Sequence, residues 1–316
     1  MKSGIIFTIG DSNGIGPEII LKIFNNTNYF SKYGLKLICP VKVIDFYADL
    51  LKLKPVPPEY LIELPCPAGF KIQPGKTDKT AGKISGDAII KSVELYRNNL
   101  CSGIVTLPIS KRSLILGGYN YPGHTEFLMQ LMDRKSNAMI MYHKDLICLP
   151  VTTHIPVREI IGKINGDLLI TKINYLNDFI KHIKKIRKPK LAVLSLNPHA
   201  GEEGEIGCEE NDLINPVIKK LNRNGFNIEG AFPPDGFFGN RLYKNYDGVA
   251  GMYHDQIMIP FKLISGGKGV NCTAGIDLIR TSPAHGTAFD IAGKNIAKID
   301  STVEALKLAL KMEKHH

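Results

Sequence analysis

Three histidines in this 316-residue chain each close a short apolar run of β type: Val151-Thr152-Thr153-His154, Leu194-Ser195-Leu196-Asn197-Pro198-His199 and Met252-Tyr253-His254. In an open α/β sheet the carboxyl ends of the strands form the ligand crevice, so imidazoles placed there can converge on one divalent ion. Three nitrogen ligands leave coordination positions open, which is what a Lewis-acid metal needs to hold a substrate hydroxyl. Asp255, next to His254, could orient a ligating imidazole from behind. Any one of these histidines is equally compatible with a loop or core position satisfied by hydrogen bonds; the repetition at strand ends carries the metal reading.

A second group could bind anions. Gly123-His124-Thr125 opens a predicted helix, where unpaired N–H groups and the positive dipole end favour phosphate or carboxylate. Lys262, Asn271 and Arg280 follow at two intervals of nine, spread over two short strand-like segments rich in glycine. A guanidinium offers bidentate anion recognition, a lysine a point charge and an amide a neutral hydrogen bond. The bend Ser265-Gly266-Gly267-Lys268-Gly269 would let backbone approach a ligand closely, or simply turn.

Other motifs fail on spacing. Gly69 and Gly75-Lys76-Thr77 are separated by five residues where a phosphate-binding P-loop needs four and a preceding strand. Gly14-Ile15-Gly16 follows a strand and opens a helix, but Ile19 holds the third glycine position of a dinucleotide fingerprint. Neither a GxSxG elbow nor an HExxH pair occurs.

The elements that must position these residues alternate. Apolar β-type runs at 4–10, 102–108, 137–154, 190–198 and 246–254 interleave with helical patterns, the signature of βαβ units around a largely parallel sheet. Residues 137–154 read as a hairpin turning at Lys144-Asp145. The clearest helix spans 167–186, with Leu169, Ile173, Leu176, Ile180 and Ile183 on one stripe, Asp167 as the expected N-cap and Pro189 past its end. Further helices are expected at 80–99, 209–224 and 300–314, and Lys54 to Pro74 as an irregular surface segment.

Composition excludes several classes. The length suits about two α/β domains, and 44% apolar with 22% charged residues is ordinary for globular proteins, not disordered ones. No apolar stretch approaches a bilayer span and the opening residues lack a signal-peptide core, so a cytoplasmic protein without membrane contact is expected. The six cysteines are isolated and read as reduced, mostly buried thiols. The net charge of +10 is densest at Lys181 to Lys190, where cations complement a helix C-terminus. No nucleic-acid-binding motif accompanies it, and an anionic small substrate fits the charge as well. The terminal Lys314-His315-His316 is set aside from metal arguments.

Five blocks in order carry a resemblance: Gly10-Asp11-Ser12-Asn13-Gly14-Ile15-Gly16-Pro17-Glu18, Pro122 to Leu128, Leu196 to Glu202, Met252 to Gln256, and Ile279-Arg280-Thr281-Ser282 with His285-Gly286-Thr287-Ala288. Together, over nearly the whole chain, they resemble the 4-hydroxythreonine-4-phosphate dehydrogenase (PdxA) family of vitamin B6 biosynthesis. The resemblance implies an isocitrate/isopropylmalate-dehydrogenase-like α/β fold: two α/β domains around a largely parallel sheet, the active site in the cleft. By motif position the domains would comprise residues 1–127 plus 265–316, and 128–264, the latter carrying metal ligands and dimer contacts. It further implies a homodimer with the active site at the subunit interface, and NAD- or NADP-dependent oxidation of 4-phosphooxy-L-threonine. The β-keto acid so formed loses its carboxylate to give 3-amino-2-oxopropyl phosphate. The family's metal ligands fall on His154, His199 and His254, for zinc, magnesium or cobalt; its substrate-binding residues fall on His124, Thr125, Lys262, Asn271 and Arg280. Lys262 and Asp235 are candidates to accept the hydroxyl proton, while the residues that bind the nicotinamide are left open.

Ser12-Asn13, Cys208, Pro234-Asp235-Gly236 and Ala284 depart from the family pattern. They spare every implied ligand and bear on cofactor preference and substrate selectivity. A paralogous dehydrogenase of 4-phospho-threonate or 4-phospho-erythronate is the alternative, since those substrates share phosphate, carboxylate and secondary hydroxyl. A phosphate acyltransferase of related fold would need no three-histidine metal site.

Overall fold

The computed structural model describes residues 4–134 and 136–314; the opening residues 1–3 and the terminal His315-His316 lie outside the described residues. The strands are β1 (Ile5–Thr8), β2 (Lys36–Cys39), β3 (Leu61–Glu63), β4 (Gly103–Thr106), β5 (Ala138–His143), β6 (Leu146–Pro150), β7 (Lys190–Leu194), β8 (Asn227–Phe232), β9 (Gly248–Gly251), β10 (Val270–Ala274) and β11 (Ile279–Pro283). Apart from the consecutive pairs β5–β6 and β10–β11 they alternate with helices, so the α/β class with a mostly parallel sheet is borne out.

The chain divides into two compact units, one of residues 4–134 and 276–314, the other of residues 136–275. The sequence-based bounds differ by several residues at both junctions. The helix His124–Leu131 stays with the first unit because Phe127 and Leu128 pack with Ile89, Val93 and Leu114. The second unit extends to Gly275 because β10 pairs antiparallel with β5.

In the first unit the strand order is β3-β2-β1-β4-β11, parallel throughout. Strands β1 and β4 are buried at every position, as a parallel strand covered by helices on both faces must be. The helix Lys79–Arg97 is capped by Asp78, whose carboxylate accepts from Thr80 N and Ala81 N. It lies against the helix Lys111–Leu116 so closely that a Cβ on Gly82 would sit 1.7 Å from Ser113 O. The Lys54 to Pro74 segment is not wholly irregular: it holds a 3-10 turn, Pro58–Tyr60, and the edge strand β3. Three residues between prolines suffice for an edge strand, which tolerates missing donors.

In the second unit the order is β10-β5-β6-β9-β7-β8. The expected hairpin is present as antiparallel β5 and β6, while β6, β9, β7 and β8 run parallel. The helix Gly166–Lys184 buries Leu169, Ile173, Leu176, Ile180 and Ile183, the predicted stripe. Its N-cap is Asn165, not Asp167: Asn165 is extended and its Oδ1 accepts from Leu168 N at 2.9 Å. Asp167 already sits in the first turn, where its charge meets the helix dipole. The cysteines are all free thiols, with Cys39, Cys101, Cys148 and Cys272 buried and Cys208 exposed. Among the described residues no helix is long and apolar enough to cross a membrane.

The contact at Gly82 gives a test. Gly82→Ala forces apart two helix backbones and is expected to lower unfolding free energy by about 2 kcal/mol or more despite alanine's better helix propensity. Urea denaturation checks this; an unchanged or raised midpoint would contradict the packing described.

Candidate active site

Strands β6, β9 and β7 are neighbours and parallel, with Leu149 and Val193 both in register with Ala250. Their carboxyl ends therefore share one edge, and His154, His254 and His199 follow those ends within a few residues. The edge is cross-tied beyond the strands. Val151 N donates to Gly251 O and Thr152 N to Met252 O, while Thr152 Oγ1 reaches the same carbonyl at 2.8 Å. Gln256, buried, accepts from Met252 N at 2.6 Å and donates to Ser195 O at 2.7 Å, joining the ends of β9 and β7.

The rings of His154 and His254 lie with centroids 5.8 Å apart and planes inclined at 46°. His254 is the first residue of the helix His254–Ser265, and its Nδ1 lies 2.7 Å from Asp255 Oδ1. Asp255 thus occupies the supporting position suspected for it. The pair fits one shared ion in spacing and in donor chemistry. Among the described residues, however, no group of three or more His, Cys, Asp or Glu side chains is gathered as an ion requires. His154 and His254 lie near each other, and His199 is not gathered with them within one chain.

His199 sits on an unusual turn. His199, Ala200, Gly201, Glu202 and Glu203 all have left-handed backbone, with φ of 51, 54, 78, 43 and 58°. Each non-glycine residue there costs roughly 1–2 kcal/mol. Gly201 is required on two counts, its positive φ and a Cβ that would lie 2.4 Å from Gly207 O. His199 and Asp235 line one cavity of about 270 Å³, together with Asn197, Pro234, Tyr253 and Gln256. Lys262 lies in the helix His254–Ser265 and is exposed; it is not on a strand-like segment, because the apolar periodicity of that stretch is helical. Asn271 is on β10 opposite Met141, with Oδ1 buried and unpartnered among the described residues.

In the first unit, Gly123 caps the helix His124–Leu131, as expected for an anion-binding start, with His124 and Thr125 in its first turn. Burial, and then the cation of Arg280, hold His124 well below the usual histidine range, so the ring is neutral at pH 7. Its Nε2 is out of solvent and has no hydrogen-bond partner among the described residues. Arg280, on β11, is 2% exposed and its Nε and Nη2 donate to Thr106 Oγ1 at 3.1 and 2.8 Å.

One residue escaped the sequence reading. Asp11, in the glycine turn after β1, is fully buried; Oδ1 accepts from Asn13 N at 2.8 Å and Oδ2 has no partner among the described residues. Burial pushes its carboxyl up to about 6. The only signal in the sequence was an acid between glycines that bind no acidic cap.

With fold and site in place, comparison with known proteins defines their class. The structure of a 4-hydroxythreonine-4-phosphate dehydrogenase from Klebsiella pneumoniae superposes with a TM-score of 0.86 at 32% identity, covering 99% of this chain and 98% of the other. The model of the pyridoxal phosphate biosynthetic protein PdxA family matches residues 36–309. A 4-hydroxythreonine-4-phosphate dehydrogenase from Bacteroides thetaiotaomicron is 37% identical, covering 98% of this chain and 88% of its own. A D-threonate 4-phosphate dehydrogenase from Salmonella typhimurium is 36% identical, covering 98% of both. The chain belongs to the PdxA family, a family of enzymes of pyridoxal phosphate biosynthesis.

Asp11 yields a pH prediction. Its folded-state value is raised from 3.8, so the fold favours the neutral acid; that contribution is complete below pH 3.8 and lost as pH rises through about 6. Asp11→Asn should therefore gain on the parent by up to about 3 kcal/mol between pH 4 and pH 8. A difference in urea-unfolding free energy that does not vary with pH would contradict it.

Proposed function

We propose that this chain oxidises 4-hydroxythreonine 4-phosphate (4-phosphooxy-L-threonine) with NAD or NADP and one divalent ion, zinc, magnesium or cobalt, the β-keto acid product losing carbon dioxide to give 3-amino-2-oxopropyl phosphate. The observation that carries the reading is the array of imidazoles along one parallel strand edge, with the His154 and His254 ring centroids 5.8 Å apart. His154, His199 and His254 are the ligands in this reading. Three imidazoles favour a transition metal over magnesium. When bound, the ion supplies Lewis acidity to the substrate oxygen and the nicotinamide accepts the hydride.

The chain's own residues do the rest. Asp255 fixes the His254 ring through Nδ1 so that Nε2 faces outward. His124, Thr125 and Arg280 of the first unit, and Lys262 and Asn271 of the second, bind the phosphate and carboxylate. The desolvated Arg280 supports this role, since its charge gains most from an anion that replaces lost water. Asp235, sharing the His199 cavity, is a candidate to take the hydroxyl proton, with Lys262 the other.

The enzyme acts as a homodimer whose subunits share the site. Two observations support this: the third imidazole is not gathered within one chain, and Ile259 and Leu263 stand 60% and 79% exposed one turn apart on the helix that begins at His254. They border a groove with Phe238 and Pro260. Apolar exposure of this kind marks an interface.

A second reading has its own support in the Salmonella relative: oxidation of a 4-phospho-threonate or 4-phospho-erythronate, which replaces the amine with a hydroxyl. Purified protein given 4-phosphooxy-L-threonine or D-threonate 4-phosphate, with NAD or NADP, separates the two by reduced-nicotinamide absorbance. Turnover greater on the former, abolished by chelation and restored by metal, is expected. Greater kcat/KM on the latter would favour the second reading, and no turnover on either by metal-loaded protein would contradict both. Asp255→Asn should weaken metal affinity roughly 10–100-fold; unchanged affinity in a metal titration would remove Asp255 from this role. Leu263→Glu should shift the sedimenting species toward monomer, and an undisturbed dimer would place the interface elsewhere.

A further inference from the structure

The left-handed turn that carries His199 needs something to hold it, and one buried carboxylate gathers its entrance. Glu210 is 1% exposed. Its Oε1 accepts from Leu196 N at 2.7 Å and from Asn197 N at 2.9 Å, the two residues that lead into the turn. Its Oε2 accepts from Asn197 Nδ2 at 2.9 Å. Asn197 Nδ2 also donates to Glu209 Oε2 at 2.7 Å, and Asn197 O accepts from Ser195 Oγ at 2.8 Å. Beyond the turn, Ile206 N donates back to Gly201 O, and Gly201 packs where a Cβ would lie 2.7 Å from Glu210 Oε2. One carboxylate therefore meets both the start of the turn and its middle.

We infer that Glu210 is the positioning residue of His199: it holds the left-handed turn so that the imidazole is presented at the strand edge, and metal affinity depends on it although it touches no ligand. This rests on the reading of His199 as a metal ligand. The hydrogen-bond pattern makes the inference specific. In Glu210→Gln the amide Oε1 can keep both backbone donors, but Nε2 then faces Asn197 Nδ2, donor against donor. Asn197 cannot resolve this by flipping, because its Oδ1 would then face the carboxylate of Glu209. A second substitution, Glu209→Gln, removes that obstacle: a flipped Asn197 accepts from both glutamine amides. The rescue tests the hydrogen-bond pattern, and a His199→Ala background separates action through that ring from a loss of stability alone.

The test is titration of the intact dimeric protein with Co²⁺ alone, read by the visible absorption of the bound ion and by calorimetry. E210Q is expected to lower cobalt affinity at least tenfold, with kcat recovering at saturating cobalt, and E209Q/E210Q to regain most of the loss. In an H199A background, E210Q should cause no further loss, since it acts through that ring. Parental affinity in E210Q, an equal loss in the H199A background, or failure of E209Q to rescue a folded E210Q protein would overturn the inference. H199A binding cobalt as the parent does would instead overturn the ligand reading, and is read from a separate variant.

Discussion

Parallel pairing of β6, β9 and β7 is the constraint on which the rest of the second unit depends. Parallel strands end at the same edge, so three loops leave side by side and each can deliver an imidazole within a few residues. An antiparallel partner in the middle would send His254 to the opposite edge. The ties past the strand ends, Thr152 to Met252 and Gln256 to Ser195, carry that register into the loops, where the chemistry lies. The 5.8 Å spacing of His154 and His254 is thus fixed by main-chain geometry before any ion arrives.

The two units contribute opposite electrostatic preparations. The second offers imidazoles and the acids Asp235 and Asp255 near one edge, a setting for a cation. The first buries Arg280 beside a His124 kept neutral, with a glycine-capped helix start that carries Glu126 in its first turn. Neither unit is at its most stable in this form: Arg280 is desolvated, and four non-glycine residues around His199 are left-handed. Such local costs at a site are what a fixed constellation of ligands requires.

Much of this was legible in the sequence because the signals were periodic or terminal. The β–α alternation, the 166–184 stripe and the hairpin at Lys144-Asp145 follow from spacing alone, and strand ends at histidines could be read from where apolar runs stop. Short elements were not legible: β2, four residues, and β3, three residues beside prolines, gain their partners from the sheet and not from local pattern. The cap of the 166–184 helix was misplaced by two residues because Asn165 and Asp167 are both good caps and only backbone conformation decides. Lys262 read as strand-like because the glycines after it mask the helix end at Ser265. The left-handed turn at His199 and its hold by Glu210 lay beyond sequence, since nothing in His-Ala-Gly-Glu-Glu announces five consecutive positive φ values.

The central claim is that three imidazoles hold one catalytic ion. X-ray absorption at the cobalt edge of the metal-loaded protein tests it directly, by counting imidazole rings from their outer-shell scattering. The account predicts three imidazoles with nitrogens about 2.0–2.1 Å from the ion, the rest of the shell being oxygen. A shell of oxygen donors alone, or a single imidazole, would contradict it.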